Sequence, residues 1–274
     1  MTITSRTRLF AVIGDPVSHS LSPILHNGWI ADHGLDAVYV ALRIAAEGAD
    51  AAFDVLKAMG FAGVNVTIPH KERAARVADD GVRDVANVLT WRADGVLQAD
   101  NTDGDGFLDA LTEAQPAWRE NVRTALIVGA GGAAVSIAAA LHGVGVRVRI
   151  VNRTHARAAA LAARFAGAET AAWSDLGAAF AQADLIVNAT SLGLDGAGGI
   201  LWPFDGCAPG RIAVDIVYKP LETPFLRQAR ARGLIGVDGL GMLIHQAARA
   251  FEIWFGVRPD VGAGRARLLA ALGA

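Results

Sequence analysis

A chain of 274 residues that is 53% hydrophobic and only 19% charged is long enough for two domains and too apolar to stay disordered. Its formal net charge of −2 gives no general pull toward nucleic acid or anionic lipid, so neither is expected as a partner. The lone cysteine, Cys207, can form neither an intramolecular disulfide nor a thiolate metal site. Residues 1–15 carry no long apolar stretch ahead of a small-residue cleavage site, so the expected location is cytoplasmic.

In chain order, apolar runs that suit strands lie at residues 9–14, 38–42 and 63–68, with helical stretches at 23–33, closed by Gly34, and 51–59, closed by Gly60. A second series places strands at 125–129, 146–151, 185–188 and 212–217 and helices at 133–141, 156–165 and 224–232. A long helical stretch begins at Leu240. Several strands are nearly continuous in apolar residues, as in parallel sheets covered on both faces, so the class is α/β with parallel sheets. The first domain boundary is expected after the Gly/Asp-rich 103–106, and the Gly-rich 193–199 reads as a mobile loop.

A hydropathy window flags residues 124–146, which are long enough to cross a bilayer. The segment holds five glycines, three of them at 129, 131 and 132 after a β-branched run, which favours a buried strand, a tight turn and an Ala-rich helix. That turn, Gly129-Ala130-Gly131-Gly132-Ala133-Ala134, fits G-x-G-x-x-A. Its first glycine makes the turn, its second lets the backbone approach a pyrophosphate, and the helix that follows aims N–H groups at the phosphates.

An NAD-selective site places an Asp or Glu at the end of the next strand, but here stands Val151-Asn152-Arg153-Thr154. Arg153 can stack on adenine and pair with a 2′-phosphate, Thr154 can donate a hydroxyl, and Arg157 lies one helical turn beyond Arg153. NADP is therefore expected over NAD. The plainer alternative, arginines that merely solvate a helix start, sets two cations against the helix dipole.

In Ser18-His19-Ser20-Leu21-Ser22-Pro23, Ser22 reads as a helix N-cap and Pro23 as the first helical residue. A cap accounts for Ser22 but not for Ser20, and two hydroxyls beside a helix start can seat a substrate carboxylate. His19 and His26 show no metal-like spacing, and no metal site is expected. In Asn65-Val66-Thr67-Ile68-Pro69-His70-Lys71-Glu72, Pro69 ends the ladder and starts a helix, which puts Lys71 in the first turn. A cation is disfavoured there, and the chain has only three lysines against twenty-two arginines. Lys71 reads either as a surface lysine or as a proton-transfer group, a task that arginine cannot perform. Asn101, Asp103 and Asp105 are spaced like part of a calcium loop, but its twelfth position is Thr112 rather than an acid. Asp103 and Asn101 read better as groups that hydrogen-bond substrate hydroxyls.

These motifs stand in one order with Val237-Asp238-Gly239-Leu240-Gly241-Met242-Leu243-Ile244-His245-Gln246. Together they resemble the shikimate dehydrogenase family over nearly the whole chain. The resemblance implies NADPH-dependent reduction of 3-dehydroshikimate to shikimate. It also implies an α/β substrate domain at 1–103, joined by C-terminal helices at 240–274, and a Rossmann-type doubly wound NADP domain at 104–239, with closure around the substrate. It makes Lys71 and Asp103 the catalytic pair, gives Ser20, Ser22 and Tyr218 the substrate carboxylate, and gives Thr67, Asn87, Asp103 and Gln246 the ring hydroxyls. Gly129, Ala130, Gly131, Gly132, Ala133, Asn152, Arg153, Thr154, Arg157, Thr190, Ser191 and Gly239 fall on the cofactor side. Where the family usually reads Gly-Ala-Val-Asn-Thr-Leu, this chain has Asp84-Val85-Ala86-Asn87-Val88-Leu89 and lacks the glycine and the threonine. The alternatives are a broader quinate/shikimate dehydrogenase that accepts NAD and a non-catalytic NADPH-binding sensor. The expected assembly is a monomer or a homodimer.

Overall fold

The computed structural model describes residues 2–79, 84–192 and 200–273, so the stretch 193–199 read as a mobile loop lies outside the described residues. The chain splits into two compact units, one running to Asp103 and resuming at Ile244, the other spanning Gly104–Leu243. Among the described residues no helix is long and apolar enough to cross a membrane.

The first unit opens with β1 (Arg8–Gly14), α1 (Ser22–Asp32), β2 (Ala37–Arg43), α2 (Ala49–Ala58), β3 (Phe61–Val66) and α3 (Lys71–Val77). Two strands follow, β4 (Val88–Trp91) and β5 (Leu97–Asp100), and the sheet order is β2-β1-β3-β4-β5. Strands β1, β2 and β3 pair in parallel, whereas β4 and β5 run antiparallel. The expected parallel pairing thus holds for β1, β2 and β3, and an antiparallel hairpin extends the sheet. The five-residue connection between β4 and β5 is too short for a crossover and carries an Asp94-Gly95 turn, a hairpin signal the apolar-run reading passed over.

The second unit contains α4 (Asp103–Ala114) beyond its first residue, α5 (Trp118–Asn121), β6 (Thr124–Val128), α6 (Gly132–Gly143), β7 (Arg147–Val151), α7 (His155–Ala162), β8 (Glu169–Thr170) and α8 (Leu176–Gln182). It continues with β9 (Leu185–Asn188), β10 (Ile212–Asp215), α9 (Pro224–Ala231) and β11 (Ile235–Val237). Every strand pair in its sheet is parallel, in the order β11-β10-β9-β6-β7-β8. That is the doubly wound dinucleotide-binding order, with its switch point between β6 and β9. The flagged 124–146 segment is thus β6, a turn and α6, as its glycines indicated.

Residues 103–106 form the first turn of α4 rather than a loop. Helix propensity argues against two glycines there, but packing overrides it. A Cβ on Gly104 would lie 2.7 Å from the Ser136 carbonyl and 2.9 Å from the Ala140 Cβ, so the glycine lets α4 sit directly on α6.

The C-terminal stretch is two helices, α10 (Leu240–Phe255) and α11 (Val261–Leu272). Asp260 ends the break by capping α11, its side chain accepting from Gly262 and Ala263, while its carbonyl accepts from Trp29 Nε1 at 2.8 Å. Met242 belongs to the core of the second unit, so the chain passes back at 243/244 rather than at 239/240.

Both C-terminal helices dock through glycines: a Cβ on Gly264 would strike Leu25 and Trp29, and one on Gly63 would strike the Trp254 indole nitrogen. That nitrogen donates to Thr90 Oγ1 at 3.1 Å. Gly63→Ala therefore forces Trp254 off its bond and is expected to cost about 1–3 kcal/mol, read as a lower urea midpoint in equilibrium unfolding.

Candidate active site

Lys71 begins α3, and the polypeptide reaches it from β3 through Thr67, Ile68 and Pro69. Pro69 lies in that turn rather than at the helix start, with His70 at the N-cap. His70 is fully buried and its Nε2 donates to the Ile44 carbonyl at 2.7 Å. The Lys71 ammonium donates to Asp103 Oδ2, with side-chain exposures of 16% and 5%, so the pair is largely withdrawn from water. Asp103 Oδ1 accepts from Asn87 Nδ2 at 2.8 Å.

Asn87 is the hub of this unit's polar interior. Besides Asp103, its amide nitrogen reaches Thr102 Oγ1 at 3.0 Å and Gln246 Oε1 at 3.1 Å, and its oxygen accepts from Thr102 N at 2.8 Å. The Thr102 hydroxyl donates in turn to the Gln246 carbonyl at 3.0 Å. The altered segment at 84–88 still delivers this asparagine. Ala86 N donates to the Lys71 carbonyl and Asn87 N to that of Asp100, Val85, Ala86 and Val88 are buried, and no described non-glycine residue needs a positive φ. Asn101, expected to hydrogen-bond a substrate hydroxyl, has both side-chain atoms engaged within this unit. Its Oδ1 accepts from Asp103 N and its Nδ2 donates to the Val85 carbonyl, which locks the approach to α4.

At the start of α1 neither serine is the N-cap. Ser22 is the first helical residue and Leu21 the cap position, so Ser22 is not the N-cap; it is the Ser20 Oγ that accepts from Ser22 N, at 3.3 Å. Ser22 is buried and its hydroxyl faces that of Tyr39, which donates to Asn65 Oδ1 at 2.7 Å. Asn65 Nδ2 then donates to the Asn87 carbonyl at 3.2 Å. Thr67, half-buried, directly follows β3. A continuous polar path therefore runs from Ser22 to Asp103. Asn65, Tyr39 and Thr102 had no role in the sequence reading; the signal was a lone amide inside the apolar run of β3. His26 is fully buried with its ring stacked on Tyr39 at 4.2 Å, and burial pushes its pKa down to about 3, which keeps it neutral. Among the described residues no cluster of three or more His, Cys, Asp or Glu could hold a metal.

In the second unit the glycine turn follows β6. Gly129 has φ +121°, and a Cβ there would also lie 2.7 Å from the Ala189 carbonyl, so only glycine fits. Gly131 is the N-cap of α6, Gly132 its first residue and Ala133 its second, and a Cβ on Gly131 would meet nothing within 4 Å. The first turn of α6 has neither an acidic residue nor a side-chain cap, which leaves its N–H groups free for phosphate. Beyond β7, Asn152 Nδ2 donates to the Thr154 carbonyl at 3.0 Å and Thr154 is the N-cap of α7. Arg153 and Arg157 are exposed, and Arg157 reaches back to the Ala130 carbonyl at 3.4 Å. These groups fit a dinucleotide with a 2′-phosphate: the helix start is open, the second strand ends without an acid, and two guanidinium groups flank it.

After β9, the Thr190 hydroxyl donates to Asn188 Oδ1 at 2.7 Å and accepts from Leu192 N at 3.1 Å, so Thr190 shapes its loop, while Ser191 is exposed. Tyr218, beyond β10, has its pKa raised by burial. Gly239 presses so closely on the Asp215 and Ile216 carbonyls that no side chain fits.

Family comparison covers both units. Residues 12–89 match the shikimate dehydrogenase substrate binding domain, residues 113–193 match shikimate/quinate 5-dehydrogenase, and residues 239–269 match the shikimate 5′-dehydrogenase C-terminal domain. The chain is 47% identical to the shikimate dehydrogenase (NADP+) of Acidiphilium cryptum, over 99% of each chain. It superposes on the shikimate 5-dehydrogenase of Thermus thermophilus in complex with NADP(H) and shikimate with a TM-score of 0.85, at 36% identity, covering 97% of this chain and 100% of the other. The quinate dehydrogenase of Corynebacterium glutamicum in complex with NAD also superposes with a TM-score of 0.85, at 29% identity over 96% and 99% of the two chains. With its motifs, its doubly wound sheet and relatives of this similarity along its length, the chain belongs to the shikimate dehydrogenase family.

Proposed function

We propose that this protein catalyses the reversible reduction of 3-dehydroshikimate to shikimate with NADPH, and that Lys71 and Asp103 carry the proton chemistry. The observation behind this reading is the Lys71–Asp103 pair, largely withdrawn from water and held by Asn87. Bound NADPH supplies the hydride. Lys71 donates a proton to the oxygen of the reduced carbonyl, while Asp103 orients the ammonium and accepts from a neighbouring ring hydroxyl. Asn87 has two amide protons for three acceptors, so one of those contacts can yield to a substrate hydroxyl, with Thr67 and Gln246 holding the others. Ser20 and Ser22, with Tyr218, hold the carboxylate.

On the cofactor side, Gly129, Ala130, Gly131, Gly132 and Ala133 receive the pyrophosphate at the α6 start, and Asn152, Arg153, Thr154 and Arg157 receive the adenosine 2′-phosphate. Thr190, Ser191 and Gly239 border the nicotinamide. The domain roles follow: residues 1–103 with the C-terminal helices bind substrate, and the unit between them binds NADP. The small-molecule substrate, a monomeric or homodimeric assembly and a cytoplasmic location complete the reading; light scattering after size exclusion decides the assembly.

Initial rates with shikimate or quinate, each paired with NADP or NAD, test the activity. Shikimate with NADP is expected to dominate, whereas comparable rates with quinate or NAD place the enzyme in the broader branch, and NADPH binding without turnover favours the sensor. Lys71→Met is expected to lower kcat by about 10²–10⁴-fold with little change in NADP affinity, and near-normal turnover removes Lys71 from the chemistry. Arg153→Ala is expected to raise the KM for NADP by about tenfold or more while leaving the weak use of NAD unchanged, measured by steady-state kinetics with both cofactors.

A further inference from the structure

Asp215, the last residue of β10, is completely buried. Its Oδ1 accepts from Asn188 Nδ2 at 3.0 Å and from Val217 N at 3.1 Å, and its Oδ2 accepts from the Thr223 hydroxyl at 2.7 Å. All three groups donate to the carboxylate, and of them only the Thr223 hydroxyl can turn to accept from an asparagine amide in its place. Asn188 carries the arrangement onward. With its nitrogen on Asp215 and on the Leu192 carbonyl at 3.2 Å, its oxygen must face Thr190, accepting from the Thr190 N at 3.2 Å and from its hydroxyl at 2.7 Å. Gly239 closes on the Asp215 carbonyl from another side, and Thr223 also caps α9 by accepting from Leu226 N.

We infer that Asp215 is a positioning residue for NADP: its carboxylate fixes the orientation of the Asn188 amide, and through it the course of the loop at Thr190 and Ser191. The inference rests on the proposed placing of that loop beside the nicotinamide. The groups facing the carboxylate are Asn188 of β9, Thr223 at the start of α9 and the Val217 backbone, and no charged side chain among the described residues contributes to its titration. Burial pushes the pKa of Asp215 up to about 6, against the hydrogen bonds that favour the ion. Below that pH the added proton has only the Thr223 hydroxyl to accept it, which must turn from donor to acceptor, and the neutral acid holds the Asn188 amide more weakly than the carboxylate does, so the loop loosens as the pH falls through about 6.

In Asp215→Asn the KM for NADP is expected to rise about tenfold, with the KM for shikimate and the thermal midpoint little changed. An NADP KM within twofold of wild type overturns the inference. In wild type the KM for NADP is expected to rise below about pH 6 by a component that the variant lacks. A phosphate monoester titrates in the same range. The same component must therefore also appear in wild-type titrations with NAD, which has no 2′-phosphate, and its absence there overturns the inference even if the variant does not fold. Thr190→Val separates the two levels of the argument. A raised NADP KM in Thr190→Val with none in Asp215→Asn leaves the loop assignment standing and removes Asp215. A raised KM in Asp215→Asn with none in Thr190→Val overturns the route through the loop, and no change in either variant removes both.

Discussion

The contact between Lys71 and Asp103 sets the terms for the interior of the first unit. Removing both charges from water costs several kcal/mol unless every remaining lone pair and proton is matched, and such a pair gives little net stability. Its neighbours are accordingly arranged to match it: Asn87 takes the second carboxylate oxygen, Asn101 the Asp103 backbone N–H, and the Lys71 carbonyl receives Ala86 N. Each of those groups is pinned by a further one, through Thr102 and Gln246 on one side and Asn65 and Tyr39 on the other. A partly satisfied network of this kind destabilises more than an apolar core, which explains why so many side chains serve two acidic and basic atoms.

The second unit solves a different problem, that of bringing backbone N–H groups to an anion. Parallel strands end together at one edge of the sheet, and where the order reverses between β6 and β9 their loops diverge and leave a crevice. Gly129 turns against the Ala189 carbonyl at that edge, and Asn188 and Asp215 finish neighbouring strands with polar groups that bond to each other. The unit buries a carboxylate with no cation beside it, held by three neutral donors. Its raised pKa means that the folded chain binds this proton more tightly than the unfolded chain does, so the stability it contributes is lost as the pH rises through about 6.

Much of this was legible before folding. The nearly continuous apolar strands of the second unit announced a parallel sheet, because a strand covered on both faces leaves no polar alternation. The glycine turn announced its ligand class, because few functions need three small residues between a strand and a helix. Lys71 was conspicuous as a lysine in an arginine-rich chain, placed where a helix dipole disfavours it. The antiparallel β4–β5 hairpin escaped because its strands are only four residues each and mixed in polarity. Helix α4 escaped because Gly104 and Gly106 read as a loop, although Gly104 is there for close packing against Ser136 and Ala140.

Local sequence by itself gave most of the element types and the cofactor class, since periodicity, turn chemistry and residue type act over a few neighbouring residues, and the pairing of Lys71 with Asp103 was implied by the resemblance that the ordered motifs carry. Only the tertiary structure decided which polar groups meet. Asn87 meets Gln246 across 159 positions, Tyr39 meets Asn65 across 26, and Asp215 meets Asn188 across 27. Hydrogen bonds of 2.7–3.1 Å at such separations depend on sheet register and helix docking, which no local pattern encodes.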